Sequence, residues 1–166
     1  MILGHLPAGY VVAKRLHRRF ADSSVSWRAL LLASLLGAVA PDFDFLYYYT
    51  FGQQRYHHHA YVTHYPLFWG ALLLGAIVSH RLARDRLWAS LGVVFTFNAF
   101  IHLCLDSFAG SIRWLAPFAY EPYSLLIVPH MTGSRRLDYL QHWSFWLELM
   151  PISWALWLYW RERQRH

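Results

Sequence analysis

Four stretches of this chain are almost wholly apolar, 30–40, 67–78, 87–105 and 143–160, and Glu148 is the one charged side chain in the last of them. Such runs predict helices that lie in a membrane, because a bilayer core accepts long apolar segments and few charges. Several fall short of the roughly 20 residues of a full span. This predicts short or tilted helices whose polar ends dip below the membrane surface. The costly positions sit at those ends: Pro41-Asp42-Phe43-Asp44 closes one run and His102-x-x-x-Asp106 another. An ionisable side chain at membrane depth is expensive unless a partner, water or a metal compensates it, so these residues are functional candidates. Histidine and aspartate are both metal-binding types.

Composition supports this class. In 166 residues, 57% are hydrophobic and 14% charged, more apolar than a soluble domain requires. The length fits a single domain, 1–166. Tyr47-Tyr48-Tyr49, Trp114 and the tryptophans between 143 and 160 fit interfacial belts, although any single aromatic is more often ordinary packing. The net charge of +6 does not point to nucleic acid, since the basic residues flank the apolar runs instead of forming one interleaved face. Cys104 is the sole cysteine, so no intrachain disulfide forms, and a buried inert thiol is the simplest reading. The first residues lack the basic segment and cleavage site of a signal peptide, and retention of this segment is expected.

Cations cluster at Lys14, Arg15, Arg18, Arg19 and Arg28, at Arg81, Arg84 and Arg86, and at Arg161, Arg163 and Arg165. The positive-inside rule assigns all three clusters to the cytoplasm. The expected path has about five membrane-embedded helices in one bundle: 2–20 inward, 27–44 outward, 64–80 inward, 87–106 outward, and the last run inward. The N-terminus lies outside and the C-terminus in the cytoplasm of a multi-pass inner-membrane protein. His5, Asp42, Asp44, the cluster from His57 to His64, His102, Asp106 and His142 then all fall on the periplasmic or exterior side, although none was used to build the path. Helices of about 15 or 16 residues put this layer roughly 22–24 Å from the cytoplasmic boundary, at 1.5 Å per residue. The hydrocarbon core is about 30 Å thick, so the layer lies near the outer boundary of acyl chains and headgroups.

His102 and Asp106 are four apart and share a helix face. Pro41 favours an extended conformation at Ala40, turning the chain so that Asp42 and Asp44 address one centre. Punctuation of a helix end by Pro and Asp is the plainer alternative, with more weight for Asp44 than for Asp42. Adjacent histidines rarely all reach one centre, so at most one of His57, His58 and His59 is expected beside His64. His5 by itself reads as a surface histidine, and its predicted side of the membrane promotes it.

These residues together resemble the YdjM-like, LexA-regulated, membrane-bound metal-dependent hydrolases. The landmarks are His5, Pro41-Asp42-Phe43-Asp44, His59-Ala60-Tyr61-Val62-Thr63-His64, and His102-Leu103-Cys104-Leu105-Asp106 followed by Gly110, Trp114 and Pro117. The resemblance spans 1–118. It departs from the family pattern where Ala60-Tyr61 replaces Arg-Gly and Tyr65 replaces Ser. The chain is also more loosely similar to zinc-dependent phospholipase C and P1 nuclease. The resemblances imply metal ligands at His5, Asp42, Asp44, His59, His64, His102 and Asp106, enough for two divalent ions with Asp106 or Asp42 bridging. Zinc is favoured, with manganese and iron as alternatives.

The expected activity is hydrolysis of a lipid phosphoester at the outer leaflet by metal-activated water. Arg55, Arg113, Arg135 and Arg136 are candidates for holding phosphate, with Arg55 able to stand in for the missing family arginine. His142 is a candidate general acid, and Glu148 is expected to pair with it or with another buried polar group. The alternative is a non-catalytic membrane protein with a structural or transport metal. Transport fits less well, because the cytoplasmic halves of the runs are apolar. The layout is tested by cysteine accessibility: a cysteine at position 58 is expected to react with an impermeant reagent applied from outside, and labelling from the cytoplasm overturns it.

Overall fold

The computed structural model describes residues 3–20, 25–50, 58–129 and 133–164. Among the described residues seven α-helices run as α1 (His5–His17), α2 (Trp27–Val39), α3 (Asp44–Thr50), α4 (Pro66–Leu82), α5 (Leu87–Asp106), α6 (Arg135–Gln141) and α7 (Leu149–Arg163). Among the described residues the only β geometry is an isolated bridge between Ile112 and Tyr123, so the expected all-α class holds. By length and composition, 27–50 and 87–106 can each cross a bilayer, and α4 is a shorter apolar helix.

Helix α2 packs between α1 and α5, α4 lies on the other side of α5, and α7 lies against α1. Small residues set these approaches. A Cβ added to Gly37 would lie 2.2 Å from the Phe95 carbonyl oxygen, and one on Gly9 would lie 3.0 Å from the Ala38 Cβ. Ser34, fully buried, donates its hydroxyl to the Gly9 carbonyl at 2.7 Å. Close backbone approach at glycine and serine is how helices associate where lipid removes the hydrophobic drive between them. Outward faces stay apolar, with Leu72, Leu74, Ile77 and Val78 exposed on α4 and Leu156 and Trp160 on α7.

The bundle has two unlike ends. At one, His17 meets Trp27, Phe20 meets His80, Ser90 contacts His80, and Lys14 pairs with Glu162. At the other, His5, Asp42, His64 and Asp106 come together. An apolar core of Ala40, Trp69, Ala99 and Leu103 lies close to that second end, and a separate cluster of Ala13, Val25, Leu30 and Val94 serves the first.

Two local expectations are corrected. Ala40 is helical, not extended (φ −58°, ψ −39°), and the chain continues through a 3-10 turn, Ala40–Phe43, into α3. Proline fits the first turn of a helix, where its missing N–H has no partner to lose, and the break falls instead at Val39 (φ −116°, ψ −6°). The last apolar run is not one helix: 3-10 helix Trp143–Glu148 precedes α7. Glu148, the last residue of the 3-10 helix, meets other elements there, as described below.

Gly37→Ala is expected to destabilise the bundle by about 1–3 kcal/mol, since the new methyl meets backbone that cannot rotate away. Gly75→Ala, where a Cβ meets nothing within 4 Å, is expected to be neutral or slightly stabilising. Unfolding midpoints of the two purified variants check this contrast.

Candidate metal centre

Each ligand candidate is delivered by the end of an element. His5 opens α1, Asp42 lies in the 3-10 turn after α2, Asp44 opens α3, and His102 and Asp106 occupy the last turns of α5. His59 and His64 come from two short 3-10 turns, His58–Ala60 and Val62–His64, just before α4. Those turns are braced by the residues that depart from the family pattern, since the Tyr65 hydroxyl donates to the Ala60 carbonyl at 3.0 Å. Trp69 Nε1 donates to the Thr63 carbonyl at 2.7 Å. After α5 the chain folds back so that Gly110 lies on His59, where a Cβ would sit 2.7 Å from the ring Cε1. Only glycine leaves room there.

Asp106, 2% exposed, is the hub. Its Oδ1 lies 3.1 Å from His5 Nε2, and its Oδ2 lies 3.0 Å from His102 Nε2, 3.7 Å from His59 Nε2 and 3.8 Å from His64 Nε2. Asp42 Oδ1 stands 3.6 Å from His102 Nε2 and 3.7 Å from His64 Nε2. His5 stacks on His102 with ring centroids 3.7 Å apart and planes within 15°.

Hydrogen bonds on the far side of two rings fix which nitrogen faces the carboxylates. His102 Nδ1 donates to the Ala38 carbonyl at 2.8 Å, and His64 Nδ1 donates to Asp44 Oδ2 at 2.6 Å, where Thr63 Oγ1 also donates. In the neutral imidazole the second nitrogen is then a lone pair. Both lone pairs are aimed at carboxylate oxygens, acceptor against acceptor, and a cation between them resolves the conflict. A proton satisfies one such pair, whereas a metal ion satisfies several together. Atoms bound to one tetrahedral ion at about 2.0–2.1 Å stand roughly 3.3 Å apart, a value that lies among the spacings given above. Carboxylate-to-histidine support of the Asp44–His64 kind is the usual outer partner of a metal-binding imidazole.

Ligand atoms of His5, Asp42 and His102 lie within 4.8 Å of one another, as do those of His59, His64 and Asp106, and those of Asp42, Asp44 and His64. The structure thus contains His/Asp groups that can hold a metal ion. His64 and His102 side chains are fully enclosed, while that of Asp42 is 33% exposed, so the cluster opens past Asp42.

His142 belongs to none of these groups; its Nδ1 contacts Ser144 Oγ at 2.8 Å and accepts from the Ser144 amide, capping 3-10 helix Trp143–Glu148. Arg113 lies over the Tyr120 ring, and Arg55 and His57 fall outside the described residues, as do the side chains of His58, Arg135 and Arg136. Glu148 does not pair with His142. Its carboxylate accepts from the Leu3 and Gly4 amides beside His5 and from the Tyr139 hydroxyl. Burial, reinforced by that carboxylate, pushes the Tyr139 phenol well above its ordinary range, so it stays a donor at physiological pH. A lone glutamate in an apolar run was the sequence signal for this contact, but the Leu3 and Gly4 amides are backbone groups that no motif records.

The fold is an all-helical bundle in which two segments are long and apolar enough to cross a bilayer, and one end carries a buried His/carboxylate cluster, a candidate metal centre. The chain belongs to the family described as YdjM inner membrane protein, whose model matches residues 1–164. No curated protein and no solved structure matches it, and the looser likeness to phospholipase C and P1 nuclease finds no counterpart there.

Asp44→Ala, which removes the partner of His64 Nδ1 without touching the Asp106 hub, is expected to weaken metal binding about 10- to 100-fold. Titration with cobalt(II), followed by its visible absorption, measures the change.

Proposed function

We propose that this protein is a membrane-embedded, metal-dependent hydrolase that cleaves a lipid phosphoester at the non-cytoplasmic face. The observation that carries this reading is the set of imidazole lone pairs and carboxylates facing one another in a cluster that opens on one side. A structural metal site is usually closed on all sides, whereas a catalytic one keeps a position for water or substrate. The exposed edge at Asp42 supports the second kind.

Two divalent ions fit the donor set, one on His5, Asp42 and His102 and one on His59, His64 and Asp106. Zinc is favoured for mixed imidazole and carboxylate donors, with manganese and iron next. Ions held there would lower the pKa of water and stabilise charge on a phosphoryl group. The chain's own part is to orient the donors. Ala38 and Asp44 set the imidazole tautomers, Asp106 presents one oxygen to His5 and the other to the remaining imidazoles, and the apolar core of Ala99 and Leu103 keeps bulk water from entering beneath.

Location favours a lipid substrate. The described residues of all three cationic clusters lie at the opposite helix ends from the His/Asp cluster, which supports five membrane-embedded helices, α1, α2, α4, α5 and α7, with the cluster outside. The buried Leu30, Val94 and Ala13 at the cytoplasmic end weigh against an ion path through the bundle.

The test is turnover of a panel of phospholipids and lipid phosphates by purified protein loaded with zinc or manganese. Metal-dependent release of phosphate or headgroup is expected, falling to background in Asp106→Ala and His64→Ala. Tight metal binding without any turnover that depends on these residues overturns the enzyme and leaves a structural metal site.

A further inference from the structure

Among the described residues, the C-terminal third of the chain supplies no donor to the three His/Asp groups, yet one of its side chains reaches them at one remove. Glu148 is fully buried, the last residue of 3-10 helix Trp143–Glu148. One carboxylate oxygen accepts from the backbone amides of Leu3 and, at 3.0 Å, Gly4; the other accepts from the Tyr139 hydroxyl at 2.6 Å. Leu3 and Gly4 immediately precede His5, the first residue of α1. The opening amides of a helix have no partners inside it, and Gly4 as N-cap offers no side chain to satisfy them. Helix ends fray, so a ligand on the first helical residue is poorly held unless something anchors the turn. A carboxylate at this end is also favoured by the helix dipole.

We infer that Glu148 is the positioning residue for His5: its carboxylate, itself held by Tyr139, anchors the start of α1 and so holds the His5 imidazole against His102 and Asp106. This rests on the metal-centre reading. It gives α6 and the 3-10 helix before α7 a role in the site, although neither contributes a donor to the three groups. A buried carboxylate that served only to join α7 to α1 would affect stability and leave the ligand set alone. A positioning carboxylate acts through His5 and has no effect on metal binding once His5 is gone.

The full-length protein in detergent is titrated with cobalt(II), and both affinity and absorption band are read in a double-mutant cycle. Glu148→Gln keeps the size of the side chain and is expected to weaken cobalt binding about 10- to 100-fold and to shift the band toward that of His5→Ala. In the His5→Ala background, Glu148→Gln is expected to cause no further loss. Tyr139→Phe leaves the carboxylate in place and is expected to give a smaller loss, again absent without His5. It decides the matter if Glu148→Gln does not fold. Wild-type affinity and spectrum in the variants, or additive losses in the double variants, overturn the inference while leaving the metal centre intact. Absence of cobalt binding by the wild-type protein overturns the metal centre and this inference with it.

Discussion

The structure turns on one carboxylate buried among imidazoles. Asp106 has a nitrogen of His5 against one oxygen and nitrogens of His102, His59 and His64 around the other, all at the end of an apolar bundle. Such an arrangement is costly in a low-dielectric interior unless every charge and lone pair is answered. The surrounding structure answers it by fixing tautomers: the Ala38 carbonyl takes the proton of one ring and Asp44 that of another. What remains is a set of convergent acceptors, and a divalent cation is the species that suits all of them.

The bundle is shaped to permit this convergence. Helices α2 and α5 approach so closely at Gly37 and Phe95 that any larger side chain would separate them, and the next residue, Ala38, is the one whose carbonyl holds His102. Close packing one residue away and the orientation of a candidate ligand are therefore the same event. Gly110 plays a comparable part, letting the chain after α5 close over His59.

Much of this was legible in the residues. The apolar runs predicted α2, α4 and α5 to within a few positions, and the landmarks His5, Asp42, Asp44, His59, His64, His102 and Asp106 named side chains that the fold does bring together. Asp44 was given the weaker case as helix punctuation, yet it is buried against His64. The helical conformation of Ala40, the 3-10 helix before α7 and the partners of Glu148 were not legible. Each depends on neighbours distant in sequence, and the contact of Glu148 with Gly4 joins residues 144 positions apart.

The sequence by itself determined which helix ends are basic and which carry histidine and aspartate, because hydropathy and charge order are properties of a one-dimensional string. It also determined the residue types available to a metal. Only the tertiary structure decided which imidazole nitrogen faces inward, that Asp106 and not Asp42 is the hub, and that a glutamate from the last third accepts from the amides beside His5. Those outcomes follow from where helix surfaces meet, and that depends on the volumes and hydrogen bonds of side chains far apart along the chain.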